Sequence, residues 1–385
     1  MKPNLAFVVS ADMTIKAFLV RHLVAIGKKF ELTVMANTDD HALLAREGIS
    51  GHLQRVSIVR PINLLADLKA CLDLFLHFRR LDLDGIVSVT PKAGLLSMLA
   101  GFMAGIPVRI HIFTGQVWVT RRGPMRHVLK FMDKLIARLA TDILVDSETQ
   151  RQFLIAEGVV SQEKSSVLAS GSISGVDLLR FKPDLPARDQ VRQELGLRDE
   201  NVILLFLGRL NRDKGVLDLA QAFDAIALAC PKAELLFVGP DEGALRAEIR
   251  HLCASHLSRV HFVDYTSLPE KYMAAADVFC LPSYREGFGS VIIEAAAVGV
   301  PAVASRIYGL TDAVLEGSTG LLHPPGNASE LSAGLKLLID SAELRQQYAH
   351  AARLRVANEF SSERVTAALL EYLNGRLEVK HEAPV

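Results

Sequence analysis

Two glutamates separated by seven residues, in a glycine-rich turn, are the first residues in this chain whose types and spacing suggest chemistry. They are Glu286 and Glu294, in the stretch Pro282-Ser283-Tyr284-Arg285-Glu286-Gly287-Phe288-Gly289-Ser290-Val291-Ile292-Ile293-Glu294. The apolar run Asp277–Leu281 before it reads as a buried strand, and Val291–Val300 reads as a helix. Gly287 and Gly289 fall at the turn, where a backbone could approach a ligand closely. The helix start behind them directs N–H groups at that turn, which suits an anion such as a diphosphate. Spacing alone fits one capping glutamate and one surface glutamate as well.

A second cluster lies upstream. The buried strand expected over Val202–Leu207 runs into Gly208, then Arg209, and Lys214-Gly215 precede a helix from Val216. Two cations at a strand-to-helix turn could clamp a diphosphate, although two surface cations remain the plain alternative. Two further strands end in turns, one at Gly239-Pro240 and one at Asp264-Tyr265.

Taken together these residues resemble the Glu-x7-Glu motif, and the Gly-Arg-Leu…Lys-Gly motif, of retaining glycosyltransferases with the GT-B fold. The resemblance extends over nearly the whole chain. Gly175-Val176-Asp177…Phe181 is similar to that family's Asn-Gly-Val-Asp-x-x-x-Phe, with Ser174 in place of Asn. Tyr308–Asp312 and Gly320–Gly326 match its C-terminal pattern. The resemblance implies an α/β fold of two doubly wound Rossmann-like domains facing across a cleft. It implies that Glu286, Arg209 and Lys214 carry the reaction, with Glu286 near the donor sugar and Glu294 on the ribose hydroxyls. Gly208, Gly239, Tyr265, Gly287, Phe288, Gly289 and Ser290 would complete the donor site. The expected division is 1–182 for an acceptor domain, 183–361 for a nucleotide-sugar domain, and 362–379 for a helix crossing back to the first.

The elements that must position these residues alternate between strand and helix. Leu5–Val9, Glu31–Ala36, His52–Val59, Gly85–Val89, Val108–Phe113 and Asp142–Val145 read as strands. Phe18–Ile26, Leu64–Phe78, Gly94–Met103 and Leu129–Leu139 read as helices. Such alternation gives a parallel sheet covered on both faces. The loop after the first strand, Ser10 to Lys16, contains no glycine, which excludes a dinucleotide fingerprint. In the family that loop lines the cleft, so Asp12, Thr14 and Lys16 are acceptor-side candidates, beside the alternative of turn and cap residues. Lys92 follows a strand end and is a second acceptor candidate, or a solvated loop lysine. Many family members carry a His before a Gly at the next strand end. This chain has Thr114 before Gly115, so Thr114, Gly115 and Gln116 are expected to line the cleft instead, with His111 three residues earlier. Helices are expected over Ala328–Ile339, Ala342–Glu359 and Ser362–Leu377, and a disordered tail from Lys380.

Composition bounds the rest. A chain of 385 residues, half of them hydrophobic, favours two well-packed domains. The net charge is zero, so bulk charge gives no sign of nucleic acid as a partner. Residues 1–185 carry 23 Lys and Arg against 17 Asp and Glu, while residues 186–385 carry 20 against 26. The basic excess includes Arg121, Arg122, Arg126, Lys130, Lys134 and Arg138, interleaved with apolar residues. A basic amphipathic helix can lie on an anionic membrane surface, or simply pack one face and solvate the other. The expectation is salt-sensitive peripheral attachment to the inner face of the cytoplasmic membrane. The longest uncharged window, Ala93–Val108, is 16 residues, short of the ~20 of a spanning helix. Met1-Lys2-Pro3 runs directly into a strand, with no leader pattern. Cys71, Cys230, Cys253 and Cys280 show no metal or redox spacing and are expected as buried thiols. Asp82-Leu83-Asp84 resembles a metal motif but precedes its strand, so no metal and no cofactor is expected.

The resulting expectation is a metal-independent, retaining transfer of a hexose, N-acetylated by resemblance, from a UDP-sugar to an undecaprenyl-diphosphate-linked saccharide. The setting implied is capsule or O-antigen (lipopolysaccharide) synthesis. A UDP-sugar epimerase of the same fold, and a non-catalytic nucleotide-sugar-binding partner of a polysaccharide assembly complex, stay open beside it.

Overall fold

A computed structural model describes residues 2–59 and 63–378, so the expected disordered tail from Lys380 lies outside the described residues. The chain forms two compact units, Met1–Gly175 with Ser362–Val385, and Val176–Ser361.

The first unit is built on seven parallel strands: β1 (Asn4–Val8), β2 (Glu31–Ala36), β3 (His52–Arg55), β4 (Gly85–Val89), β5 (Val108–Phe113), β6 (Asp142–Val145) and β7 (Ser165–Val167). Their order is β3-β2-β1-β4-β5-β6-β7, and every pairing is parallel. The order reverses between β1 and β4. Ligands of open α/β sheets bind at such a switch point, outside the C-terminal strand ends. β4 is buried along its whole length, as a strand with helices on both faces must be. The principal helices are α1 (Val20–Lys29), α2 (Leu64–Leu81), α3 (Pro91–Met103), α4 (Pro124–Leu139) and α5 (Glu148–Ala156). Helices α2, α3, α4 and α5 share one apolar core with one face of the sheet. On the other face, α1 and the closing helix Ser362–Glu378 form the second core. His22 of α1 ties these two helices, with Nδ1 2.8 Å from Thr366 Oγ1.

The second unit has six parallel strands: β8 (Val202–Leu207), β9 (Ala233–Val238), β10 (Val260–Val263), β11 (Val278–Leu281), β12 (Ala302–Ser305) and β13 (Gly320–His323). The order β10-β9-β8-β11-β12-β13 reverses between β8 and β11. Its helices include α6 (Leu185–Glu194), α7 (Val216–Ala227), α8 (Ser290–Val298) and α9 (Ala342–Glu359). α6 is anchored by a buried charge cluster. Arg192 and Arg188 both donate to Asp277, at 2.6 and 2.8 Å, just before β11. Two Rossmann-like parallel-sheet units are therefore present, as the alternation in the sequence implies.

Several bounds differ from the sequence reading for local reasons. β3 stops at Arg55, because Val56 and Ile58 turn into the core and Ile58 N–H donates to Val56 O, 2.9 Å away. α4 starts at Pro124 rather than Leu129. Proline is well suited to a first helical turn, where its missing N–H has no partner to lose. All four cysteines are free and buried. No helix among the described residues is long and apolar enough to cross a membrane.

Candidate functional site

The two motif clusters of the second unit meet at its switch point. Gly208, Arg209 and Lys214 follow β8, and Ser283 to Gly289 follow β11, the strand paired beside it. Lys214 Nζ is bonded to Glu286 Oε1, and Ser283 Oγ donates to the same oxygen at 2.8 Å. The lysine and the glutamate are both largely covered, with side-chain exposures of 22% and 13%. A charge pair this shielded from water is firmly held, because desolvated partners have no equivalent alternative. Ser283 is fully buried and was not singled out by spacing; a serine just after an apolar strand gives no pattern to read.

Backbone geometry sets the approach. Gly215 takes φ +67°, and a Cβ there would lie 2.0 Å from Pro282 O, so the loop after β8 can close on the loop after β11 only with glycine. Gly289, at φ +78°, caps the start of α8 in the left-handed region. The first-turn N–H groups of α8, beginning at Ser290, therefore face the same turn as Gly287. Gly239 follows β9 and sits against the Gly208 carbonyl.

Other expected donor residues are placed differently. Arg209 Nη1 pairs with Glu242 Oε2 at 2.9 Å, on an exposed rim rather than with Glu286. Phe288 is 2% exposed and packs on Phe360 with centroids 5.3 Å apart, so its ring belongs to the core and only its backbone remains at the turn. Tyr265 is largely exposed beyond β10. Glu294, in the second turn of α8, is pushed up to about 7 by burial; nearby Arg180 opposes that shift and Glu270 adds to it. Arg180 itself donates to Glu270 at 3.0 Å, a pair the sequence reading did not identify.

The first-unit candidates gather at the C-terminal edge of the seven-stranded sheet. Asp12 and Lys16 pair with each other at 2.6 Å in the short helical segments Asp12–Thr14 and Ile15–Leu19 that lead into α1, with Thr14 half-buried between them. Lys92 is directed inward, with Nζ 2.6 Å from Asp67 Oδ1 and 2.7 Å from Val59 O. Thr90, just before it, holds φ +78°, a conformation β-branched residues adopt only under strain. Thr114 and Gly115 are half-buried after β5, while Gln116 is buried and donates to Thr114 O at 2.7 Å. Gln150 joins them, donating to Thr114 O at 2.7 Å and to Gln116 Oε1 at 3.0 Å.

His111 does not take the role of the family's missing histidine. It is buried beneath α3, its Nδ1 2.8 Å from Ser88 Oγ and its ring against Gly94, and burial lowers its pKa to about 3. In this unit the sequence also did not flag Asp146, one position beyond β6. The register pairing Phe113 with Val145 places it beside Thr114. Its carboxyl is buried, its Oδ1 has no hydrogen-bond partner, and burial pushes it up to about 7. Asp82 and Asp84 lie at the opposite edge of the sheet, where Asp84 Oδ2 accepts from Asn4 N–H at 2.8 Å.

Residues 187–355 match the family described as glycosyl transferases group 1, and residues 19–171 match the glycosyl transferase 4-like domain. The chain is 31% identical over 309 residues to the capsular polysaccharide biosynthesis glycosyltransferase CapM of Staphylococcus aureus, covering 80% of this chain and 81% of that protein. It is 26% identical to the UDP-Gal:alpha-D-GlcNAc-diphosphoundecaprenol alpha-1,3-galactosyltransferase of Escherichia coli, over 66% of this chain and 65% of that one. Among solved structures, Anabaena HepE in complex with UDP and glucose superposes with a TM-score of 0.79 at 21% identity, over 97% of this chain and 99% of HepE.

Proposed function

The chain belongs to the group 1 glycosyl transferases, and we propose a retaining, metal-independent hexosyltransferase using a UDP-sugar, its hexose N-acetylated as the resemblance implies. The acceptor is a saccharide carried on undecaprenyl diphosphate, in capsule or O-antigen synthesis, at the inner face of the cytoplasmic membrane. The name of the Escherichia coli relative supports the acceptor class, that of the Staphylococcus aureus relative supports the capsular setting, and the UDP bound by HepE supports the nucleotide. The observation that carries the reading is the grouping of Lys214, Ser283 and Glu286 at the switch point, beside the glycine-entered start of α8.

The proposed chemistry is the one the resemblance to retaining enzymes implies, with that grouping as its support. The anomeric carbon–oxygen bond to the diphosphate breaks, and a bond from the acceptor oxygen to the same carbon forms on the same face. The leaving phosphate oxygen takes the acceptor's proton. The charge gathering on the diphosphate is met by Lys214, by Arg209 once it leaves Glu242, and by the N–H groups that open α8. Glu286 remains beside the sugar, held by Ser283. Glu294 accepts from the ribose hydroxyls, and neither glutamate acts as a nucleophile.

A screen of UDP-sugars against lipid-linked saccharides, with mass spectrometry of the products, tests the reading. Acceptor-dependent UDP release with one added hexose is the expected result. UDP and a free altered sugar in the absence of acceptor would instead identify an epimerase, and bound UDP without turnover a binding partner. Because charge stabilisation here falls to side chains and a helix terminus, EDTA should leave turnover within about twofold; strict dependence on an added divalent ion would return attention to carboxylates such as Asp82 and Asp84.

A further inference from the structure

We propose that the first unit docks on an anionic lipid surface through the outer faces of α2 and α4, inserting the leucine stripe of α2 while the exposed cations of both helices meet the headgroups. The inference extends the membrane part of the transferase reading, and depends on that reading only for the source of the acceptor.

The observation is an apolar helix face turned outward. α2 buries Ala70, Cys71, Leu74 and Phe78 against the sheet. On its opposite side Leu65, Leu68, Leu72 and Leu76 succeed one another at helical spacing, with exposures of 82%, 70%, 55% and 42%. Four leucines in one stripe are a patch, not the scattered apolar residues of an ordinary surface. α4 carries a second, shorter stripe, Met125, Val128 and Phe131, about half exposed or more. Helix α3 contacts both α2 and α4, and all three pack on the same face of the sheet. The two stripes therefore lie on one side of the unit.

Charge favours lipid headgroups as the occupant. Lys69 on α2 and Arg122 and Lys134 around α4 are exposed. The carboxylates nearby are mostly engaged elsewhere. Asp67 holds Lys92, Asp133 is buried against Trp118, and Glu157 holds Lys130. A face of leucines fringed by exposed cations matches the boundary between acyl chains and anionic headgroups. A protein partner would need carboxylates set opposite each cation, which a fluid anionic surface supplies without register. The helices run back from the strand ends, so α2, α3 and α4 all begin at the edge that carries Thr90 and Thr114. A lipid-borne acceptor would thus arrive at the edge where the first-unit candidates gather.

Insertion and pure surface attraction differ in their response to salt, because screening removes only the second. The test is sedimentation of the full-length chain with phosphatidylcholine vesicles, with and without phosphatidylglycerol, at low and high salt. Wild type should bind the anionic vesicles and keep part of that binding in high salt. The variant Leu65→Gln, Leu68→Gln, Leu72→Gln should lose the salt-resistant part and bind at least about tenfold more weakly at low salt. The variant Arg122→Gln, Lys134→Gln should weaken binding at low salt and match wild type at high salt. All three positions of the leucine variant are exposed, so its melting temperature should hold. Transfer to a short soluble acceptor should hold too; loss of transfer by wild type would defeat the transferase reading and leave the vesicle result standing. Binding by the leucine variant equal to wild type, complete release of wild type by salt, or no vesicle binding by wild type would each overturn the proposal.

Discussion

At the residue scale the decisive contrast is between Lys214 and Arg209. Lys214 is held by Glu286 at the switch point, whereas Arg209 rests on Glu242 at the rim. Removing either cation should lower kcat by roughly 10²–10³, the range for losing one preorganised donor to a developing charge. Lys214→Ala should also destabilise the second unit, by about 3 kcal/mol, because it strands a largely buried glutamate; Arg209→Ala should not. Steady-state kinetics beside urea unfolding separates the two effects, and near wild-type turnover in both variants would remove the diphosphate assignment. Glu294 gives a pH signature. Its carboxyl is raised to about 7, and a carboxylate accepts from ribose hydroxyls better than a neutral acid. UDP affinity should therefore rise between pH 6 and pH 8, by about fivefold, given ionisation across that range. Glu294→Gln should flatten the titration, and an unchanged slope by calorimetry would place the ionising group elsewhere. Glu286, Glu294, Arg209 and Lys214 stood out in the sequence because their types and spacing together resemble a family motif. Ser283 and Asp146 did not, because what marks them is burial and a missing partner, properties that exist only after folding.

At the element scale, strands were legible wherever an apolar run was buried on both faces, as in β4 and β8, and their bounds came close. The helices were legible as helices but not as surfaces. α2 reads as a helix with apolar residues at helical spacing, and only the structure shows which leucines face the sheet and which face outward. α4 shows the reverse problem, since its basic residues suggest a wholly solvated face. Lys130 is instead bonded to Glu157, and both Arg126 and Lys130 lie over the Trp118 ring, at 5.8 and 5.5 Å. The helix is pinned from below by Asp133, which accepts from Trp118 Nε1 at 2.8 Å and is pushed up to about 6 by burial. Trp118→Phe leaves a ring on Phe153 but removes that donor together with part of the buried indole, so it should cost at least about 1–3 kcal/mol of unfolding free energy. The loss should grow as pH rises through 6, because the stranded carboxyl is then asked to ionise without its donor. A loss independent of pH would mean that ring packing, not the hydrogen bond, holds α4 in place.

At the scale of the whole molecule, one sheet pattern is used twice. Both units reverse strand order beside their first strand, and both gather polar side chains and conformationally special residues at the loops leaving that point. The sequence conveyed the two sheets through alternation, and the switch points only through where the motifs fell. The second unit holds the cations, the glycine-entered helix and Glu294, so it alone contains the groups expected to bind UDP. Saturating UDP at a hundredfold over its Kd should stabilise that unit by about 2.7 kcal/mol, since a ligand that binds only the folded state stabilises it by mass action. Hydrogen exchange should then slow most in the loops after β8, β9 and β11 and at the start of α8, where backbone N–H groups would contact the phosphates. The outer face of α2 should exchange at the same rate with or without UDP, and slow only with anionic vesicles. Protection by UDP centred on Thr90 to Gln116 instead would assign the nucleotide to the first unit and reverse the roles given to the two sheets.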